Sequence, residues 1–221
     1  PEDRGGLQKW LDLGLPIQSG HLGLVAELAS AGRDVTADYA LNVMNGHTAA
    51  EIFRLGARRV TASVELTTDE IGHLVAPWRG DGFEVFLYGR PEGMTLEHCV
   101  LSAAFEREPT TCRDLCVQKH PNVQLTDPTG YAFPVATDSA CRNRLLHSRP
   151  VEGSEFLPRL WESGVRSYRA VFNVAGEPVA DVVAGYRRTL DALAAGHEPS
   201  RSPVRDLVGS TFTRGHFARA V

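Results

Sequence analysis

The first 90 residues alternate short apolar runs with amphipathic stretches, a pattern that predicts strands and helices in turn. The runs rich in β-branched and large apolar residues are 13–18, 34–38, 59–65 and 83–88. They begin roughly every 21 to 25 residues, which leaves room for one helix between consecutive strands. This spacing is typical of a parallel α/β sheet, because the strands of an antiparallel sandwich recur about every 8 to 12 residues.

Capping residues indicate where the helices between these strands begin. Thr48 with Glu51, and Thr67 with Glu70, each have the spacing of a capping box. His21 follows the first strand and is better explained as a residue that starts a helix than as a ligand. The sequence therefore predicts helices that begin near these three positions.

The alternation stops after Arg90. Residues 91–150 are rich in turn formers, and the turn at 127–130 predicts a small hairpin with one strand over 131–135. This segment is typical of an insertion whose order depends on a bound metal rather than on a large core. Alternation then resumes with a helix over 155–162, a fifth strand over 167–172, a long helix after Pro178 and a polar loop over 198–203.

These elements divide the chain into three segments and predict a barrel. The segments are βα units over 1–90, the cysteine-rich insertion over 91–150, and the last βα units with a C-terminal tail over 151–221. Five strands do not close an eight-stranded barrel, so we favour a parallel (β/α)8 TIM-like barrel of which this chain supplies the C-terminal five βα units. We then expect exposed apolar surface near the first strand, covered by the missing N-terminal half, by a partner chain or by a second copy in a homodimer.

Composition narrows the class of protein. The 221 residues are 43% hydrophobic and 23% charged, which is ordinary for a globular protein. The net charge of -4 provides no overall positive field that would attract nucleic acid. No apolar run approaches the roughly 18 residues of a membrane span, and no signal peptide precedes the first strand, so we expect a cytoplasmic protein without membrane contact.

Four cysteines are the strongest chemical signal. They are Cys99, Cys112, Cys116 and Cys141, spaced C-x12-C-x3-C-x24-C, with none elsewhere in the chain. A disulfide pair or four unrelated buried thiols would also fit the count, but a chain of this size has little need of disulfides. Spacing alone leaves zinc and an iron–sulfur cluster about equally favoured, with His98, Asp114 and His120 as alternative ligands.

Polar residues follow the predicted strands at their carboxyl ends, where parallel βα folds place their active sites. Asn42, Glu65 and Arg90 follow the second, third and fourth strands, and Arg169 lies within the fifth. A guanidinium binds a carboxylate through two hydrogen bonds, so this set suits an anionic, oxygen-rich small molecule. Each residue taken alone is better explained as a helix cap or a surface ion pair, and Asn42 and Asn45 can organise the turn into the next helix. We predict Glu65 and Arg90 as catalytic, and Asn42, Asn45 and Arg169 as substrate-binding.

Standard hydrolase motifs are absent from the sequence. It contains no G-x-S-x-G and no H-E-x-x-H. Glycine-rich phosphate loops are absent too. Local motifs therefore give no support to a hydrolase that uses standard machinery.

Five stretches of the chain occur together in a recognisable order. They are Asp38 to Asn45 (D-x-x-L-N-x-x-N); Ser63 to Leu66 (S-x-E-L); Tyr88-Gly89-Arg90 with Met94 and Glu97-His98-Cys99; Cys112 to Cys116 with Asp127, Phe133-Pro134, Asp138 and Cys141-Arg142; and Thr213 to Phe217. Together they resemble the collagenase-like peptidases of family U32, in family order over nearly the whole chain. The family's first barrel strands have no counterpart in this sequence.

The resemblance implies a (β/α)8-type barrel and a [4Fe-4S] cluster held by the four cysteines. It also implies an activity other than the historical name, because better understood relatives are oxygen-independent hydroxylases of transfer RNA, ribosomal RNA or a quinone precursor, with prephenate implicated as the oxygen source in some. We therefore predict an iron–sulfur enzyme that hydroxylates RNA or a small aromatic molecule. In protein prepared in air we expect zinc, an empty site or a disulfide at this position.

Two other functions stay open. One is a peptidase, as the family name says, although no nucleophile or zinc motif supports it. The other is a non-catalytic, metal-stabilised module that binds RNA or a partner protein. In that module Arg142, also predicted to bind substrate, would contact phosphates together with Arg144, His147 and Arg149. The same run is equally typical of a solvated loop face.

Overall fold

The structure is a computed structural model that describes residues 4–108, 111–112, 115–138, 140–197, 199 and 203–219. Its α-helices are α1 (Arg4–Leu11), α2 (Leu22–Ser30), α3 (Gly46–Arg54), α4 (Thr68–Val75), α5 (Val100–Ala104), α6 (Leu115–Gln118), α7 (Leu157–Glu162), α8 (Val179–Ala194) and α9 (Pro203–Val208). Its strands are β1 (Ile17–Ser19), β2 (Val35–Ala37), β3 (Arg59–Thr61), β4 (Phe83–Gly89), β5 (Glu92–Leu96), β6 (Val123–Thr126), β7 (Ala132–Thr137), β8 (Asn143–Leu146), β9 (Val151–Glu152) and β10 (Ser167–Ala170).

The chain forms two compact units. The first unit comprises Pro1–Phe86, Phe156–Arg169 and Gly215–Val221, and the second comprises Leu87–Glu155 and Ala170–Arg214. The three sequence segments predicted above remain a prediction.

The first unit is built on a parallel sheet. Strands β1, β2, β3 and the start of β4 pair in parallel in chain order, and β10 is the other neighbour of β4. This confirms the predicted α/β class and the parallel pairing. The predicted barrel is not found, because β1 and β10 are the two ends of an open row and no closed barrel occurs among the described strands. Five strands are too few for the closure that eight strands achieve.

Local backbone chemistry makes two strands shorter than predicted. Strand β1 starts late because Gly14 has a φ of 70° and Pro16 has no N–H to donate to a neighbouring strand. Strand β3 ends at Thr61 because the chain turns there, and the Leu66 N–H donates to the Ser63 carbonyl at 3.3 Å. Both deviations occur at strand ends, where pairing competes with turn formation.

One predicted capping box is confirmed and the other is wrong. Thr67 Oγ1 accepts the Glu70 N–H at 3.2 Å, and Glu70 Oε2 accepts the Thr67 N–H at 2.8 Å. Helix α3 instead begins at Gly46, because Asn45 Oδ1 caps it by accepting the Thr48 N–H at 3.0 Å. An asparagine three residues earlier thus supplies the cap that was predicted for a threonine.

The core of the first unit combines apolar helix faces with an aromatic cluster. The faces of α2, α3 and α4 bury Val25, Ile52 and Ile71. The rings of Phe53 and Phe83 meet edge to face at 5.4 Å, and the Trp78 ring joins both.

The second unit contains two antiparallel arrangements. The end of β4 pairs antiparallel with β9, which differs from the predicted all-parallel set of strands. A separate four-stranded antiparallel sheet has the order β5-β8-β7-β6. The predicted hairpin is confirmed as β6 and β7, and its turn is held by Asp127 Oδ1, which accepts the N–H groups of Thr129 at 2.9 Å and Tyr131 at 2.8 Å.

A fully buried carboxylate, Glu152, anchors helices α8 and α9 within the second unit. Its Oε1 accepts the Tyr186 hydroxyl at 2.9 Å and the Ser154 N–H at 2.9 Å, and its Oε2 accepts the Arg205 Nε–H at 3.1 Å. Burial of a charge at this position is compatible with stability because three donors, one of them a guanidinium, bond to the carboxylate.

Three further observations concern the surface and the ends of elements. Large apolar side chains are exposed near β1, namely Trp10, Leu13 and Leu15. Among the described helices, none has both the length and the apolar character needed to cross a membrane. The loop predicted over 198–203 falls largely outside the described residues, and α9 begins at its last position.

Candidate functional site

The four cysteines line one cavity. This cavity of about 470 Å³ is walled by Cys99, Cys112, Cys116 and Cys141 together with residues that include Ser102 and Asp138. Each cysteine is half-buried, and none forms a disulfide. The structure therefore brings together thiols that are spread along the chain.

The pairing of β5 with β8 positions two of the four thiols. Leu96 at the end of β5 is opposite Asn143 at the start of β8. Cys99 follows β5 and immediately precedes α5, and Cys141 precedes β8, so the ladder holds the two segments side by side. Cys116 lies on α6, in the excursion between β5 and β6.

A tight turn presents Cys141. Asp138 Oδ1 accepts the Ala140 N–H at 2.9 Å and the Arg142 N–H at 3.0 Å, and its carboxylate also pairs with the Arg142 guanidinium at 3.2 Å. Within this turn Cys141 has a φ of 60°, a left-handed conformation uncommon for residues other than glycine. The turn thereby fixes the backbone that carries the fourth thiol.

The electrostatic environment differs between two of the thiols. Burial raises the pKa of the Cys99 thiol, but the nearby donor groups of Ser102, Leu101 and Asn143 outweigh burial and lower the pKa below its ordinary value. Burial raises the pKa of the Cys141 thiol, and the negative charges of the three other cysteines and of Asp138 raise it further. The cysteines are therefore close enough to repel one another when ionised, and a bound cation would relieve this.

The cysteines do not converge on a single ion. No group of three or more histidine, cysteine, aspartate or glutamate side chains within the described ranges has the arrangement that holds one metal ion. Of the alternative ligands, His98 lines a second cavity of about 900 Å³ that shares Cys99 and Cys141, and His120 stacks on Phe105 at 4.7 Å. Asp114 lies outside the described residues.

At the carboxyl ends of β2 and β3, a serine links two of the predicted site residues. Ser63 Oγ donates to Asn42 Oδ1 at 2.6 Å and accepts the Glu65 N–H at 3.3 Å. Asn42 and Glu65 are both exposed, and Asn42 has a left-handed φ of 53°. Sequence reasoning singled out the two outer residues and missed Ser63, whose only signal was its place in S-x-E-L.

Two candidates serve as helix caps. Asn45 caps α3, as described above, and His21 caps α2 because its Nδ1 accepts the Leu24 N–H at 3.2 Å. The helix-start interpretation of His21 is confirmed. A substrate-binding role for Asn45 remains a prediction beside this capping role.

Arg90 follows β4, in the second unit, and its guanidinium forms hydrogen bonds through only some of its N–H groups among the described residues. Its Nη1 donates to the His147 carbonyl at 2.8 Å, and its carbonyl accepts from Asn173 Nδ2 at 2.9 Å. Arg90 Nε and Asn173 Oδ1 are buried without a hydrogen-bond partner in the described parts of the chain. Burial lowers the pKa of Arg90, and the negative charge of Glu177 opposes that effect. An unpaired buried N–H of this kind is suited to an anionic oxygen.

The residue before Arg90 has to be a glycine. Gly89 has a φ of 122°, and a Cβ built on it would lie 2.2 Å from the Val171 carbonyl oxygen. The backbone that carries Arg90 therefore approaches a neighbouring chain segment more closely than any side chain allows.

Arg169 is engaged within the first unit. Its Nη1 pairs with Asp38 at 2.7 Å, and its Nη2 pairs with Glu84 and donates to Thr61 Oγ1 at 2.6 Å. Gln18 Nε2 donates to the same Asp38 carboxylate at 2.8 Å. This network joins strands β1, β3, β4 and β10 to the residue that follows β2, so Arg169 has structural partners in addition to its predicted role as a substrate ligand.

The basic residues that would contact phosphates in the binding-module hypothesis also have partners within the chain. Its arginines contact Asp138 (Arg142, 3.2 Å), Glu92 (Arg144, 2.7 Å) and the Tyr131 ring (Arg149, 5.2 Å). The His147 Nδ1 lies within hydrogen-bonding distance of the Arg149 carbonyl (2.8 Å) and of the Arg149 N–H (3.1 Å). Phosphate contacts from this run would have to displace these partners.

Comparison with known proteins identifies the family. A family model described as peptidase family U32 matches residues 20–220, a range that includes all four cysteines, Glu65 and Arg90. No curated protein and no solved structure matches the chain. The family suggested by the sequence motifs is thus confirmed, and the chain belongs to peptidase family U32.

Proposed function

We propose that this chain binds a [4Fe-4S] cluster on Cys99, Cys112, Cys116 and Cys141 and that it is the cluster-bearing part of an enzyme that hydroxylates RNA or a small aromatic molecule without molecular oxygen. The observation that carries the proposal is the single cavity lined by all four thiols. The hydroxylase part of the proposal comes from the family resemblance.

The donor set suits a cluster better than a single ion. Zinc draws four ligands to about 2.3 Å from one centre, whereas a cluster takes a thiolate at each of its irons and leaves them farther apart. The four thiols line one cavity, and among the described residues they do not have the arrangement that holds one metal ion. Their mutual repulsion, which raises the pKa of Cys141, would be relieved by a cationic iron core.

The chain's own residues supply substrate binding in the second unit and a proton acceptor in the first. When bound, the cluster would supply one-electron chemistry. Arg90 offers its unpaired Nε–H to the carboxylate of an anionic substrate or co-substrate. Glu65 is exposed beside Ser63 and is available as a proton acceptor.

The other two functions receive less support. The sequence lacks serine- and zinc-peptidase motifs, and the arginines of the binding-module hypothesis already have partners. We therefore carry neither forward as a second proposal.

Anaerobic purification followed by iron, sulfide and zinc analysis tests the proposal. We expect about four iron and four sulfide per chain, with the broad visible absorption of sulfur-to-iron charge transfer. Cys99→Ser, Cys112→Ser, Cys116→Ser and Cys141→Ser should each lower the iron and sulfide content. Ser154→Ala serves as a folded control, because Ser154 is buried in the same unit but does not line the cysteine cavity.

Two results would overturn the proposal. One is stoichiometric zinc without sulfide in protein that has never met air. The other is full iron and sulfide in any single cysteine variant. Peptide hydrolysis that persists after all four thiols are removed would favour the peptidase instead.

A further inference from the structure

Two buried polar groups close to Cys99 have no hydrogen-bond partner. Asn143 is fully buried, and its Oδ1 accepts the Val100 N–H at 2.8 Å, but its Nδ2 has no partner in the part of the chain that the structure describes. Ser102 is 6% exposed, and its Oγ also has no partner there. Buried donors without acceptors are rare because they lose their bonds to water without replacement.

Both groups adjoin the same sulfur. Ser102 lines the same cavity as Cys99, and Asn143 is held next to Cys99 because its Oδ1 accepts the N–H of Val100, the following residue. The donors of Ser102, Leu101 and Asn143 also lower the pKa of the Cys99 thiol. A neutral thiol is a weak acceptor, whereas a thiolate, free or bound to iron, accepts strong hydrogen bonds. The unpaired donors therefore find their acceptor when the Cys99 sulfur is anionic.

Cys141 has a contrasting environment. Burial and the negative charges of the three other cysteines and of Asp138 raise its pKa. The two thiols held in place by the β5–β8 ladder are thus unequal. Cys99 is the one surrounded by side-chain and backbone donors.

We propose that Ser102 and Asn143 are positioning residues that donate hydrogen bonds to the anionic sulfur of Cys99 and thereby raise the reduction potential of a cluster bound there. The consequence for the potential rests on the proposed function, whereas the hydrogen bonds themselves do not require a cluster. Donors to a ligand sulfur withdraw negative charge and favour the reduced state.

Ser102→Ala is the central variant, because it removes one donor and adds no atom. Ser102→Thr keeps the hydroxyl and should behave like the wild type. Ser154→Ala is the matched control, since Ser154 is 4% exposed and its hydroxyl also lacks a partner among the described residues, but it lines neither cysteine cavity. Asn143→Ala would remove the second donor but also the acceptor of the Val100 N–H, so the test relies on Ser102→Ala.

The first readout is the reduction potential of the anaerobically reconstituted cluster. One hydrogen bond changes the equilibrium constant by roughly two- to tenfold, which is about 20 to 60 mV for a one-electron couple. We expect Ser102→Ala to have a potential lower by this amount. Ser102→Thr and Ser154→Ala should keep the wild-type potential.

The second readout is the rate at which iodoacetamide alkylates Cys99 in the metal-free protein at a fixed pH, followed by mass spectrometry. We expect Ser102→Ala to slow this rate by roughly two- to tenfold, because less thiolate is present. Alkylation of Cys141 in the same sample should not change and serves as the internal reference.

The two readouts separate the two proposals. If no cluster assembles on the wild type, the proposed function fails, and slower alkylation of Cys99 in Ser102→Ala still supports the hydrogen bond. Equal alkylation rates in Ser102→Ala and Ser154→Ala overturn the hydrogen bond, with or without a cluster. An unchanged potential in a loaded Ser102→Ala protein overturns its effect on the cluster.

Discussion

Replacing Arg169 by methionine should destabilise the first unit strongly. The side chains of Arg169 and Glu84 are each 13% exposed and that of Asp38 is 24% exposed, so the substitution leaves two carboxylates in a site with little water. Removing one partner of a buried ion pair costs about 3 to 5 kcal/mol, because the remaining charge is uncompensated. Asp38 keeps its hydrogen bond from Gln18 and some contact with solvent, so we expect about 3 kcal/mol.

Urea denaturation followed by circular dichroism measures this loss. The control is Arg54→Met, because Arg54 pairs with Glu51 on an exposed face of α3 and its removal should leave the midpoint unchanged. The double variant Arg169→Met with Glu84→Gln should recover part of the loss, since only one carboxylate then lacks a partner.

An Arg169→Met protein that unfolds at the wild-type urea concentration would refute this reasoning. The network would then contribute little to folding. Arg169 would instead be a side chain held ready for substrate, as the sequence analysis predicted.

Two other perturbations test the backbone and the buried carboxylate. Gly89→Ala should lower the thermal midpoint, because its Cβ would meet the Val171 carbonyl oxygen at 2.2 Å and the backbone strain alone is worth about 1 to 3 kcal/mol. Gly72 lies on α4 with open space around it, so Gly72→Ala should raise the free energy of unfolding by up to about 1 kcal/mol and raise the thermal midpoint. A lower midpoint in both variants would contradict the steric argument. Burial raises the pKa of Tyr186 well above its ordinary value of 10.0, and the charge of Glu152 raises it further. At a pH slightly above 10, the phenol is therefore still protonated in the folded chain but ionised in the unfolded chain. The free energy of unfolding should therefore fall as the pH rises above about 10. Urea titrations at several pH values should show a smaller fall for Tyr186→Phe, and an equal fall in both proteins would show that Tyr186 does not cause it.

Local sequence signals predicted the elements of the first unit well and their ends less well. The β-branched runs and their spacing indicated parallel strands, because both properties are encoded within about 25 residues of chain. The start of β1 depends on Gly14 and Pro16, and the start of α3 depends on Asn45 competing successfully with Thr48 for the cap. Closure of a barrel was beyond this reasoning, since successive βα units have the same local pattern in open and closed sheets.

In the candidate site, too, some features could be predicted from the sequence and others depend on tertiary packing. The clustering of the cysteines predicted that they would meet, and they line one cavity. Ser102 and Asn143 gave no such signal, because a buried donor without a partner is a property of tertiary packing and not of residue type or spacing. The partners of Arg169 were equally unpredictable, since Asp38 and Glu84 come from distant parts of the sequence.

The paired arginines next to the cysteines determine how RNA binding on this face would respond to salt. A free arginine that neutralises a phosphate of single-stranded RNA releases counterions, and log K falls by about 0.7 per contact for each unit of log salt concentration. Arg142 and Arg144 would first have to leave Asp138 and Glu92, whose carboxylates would then take up cations from solution. Fewer ions would be released overall, so RNA affinity would depend less steeply on salt. If Arg142, Arg144 and Arg149 were all unpaired, log K would fall by about 2 for each unit of log salt concentration, and we expect a smaller slope than this.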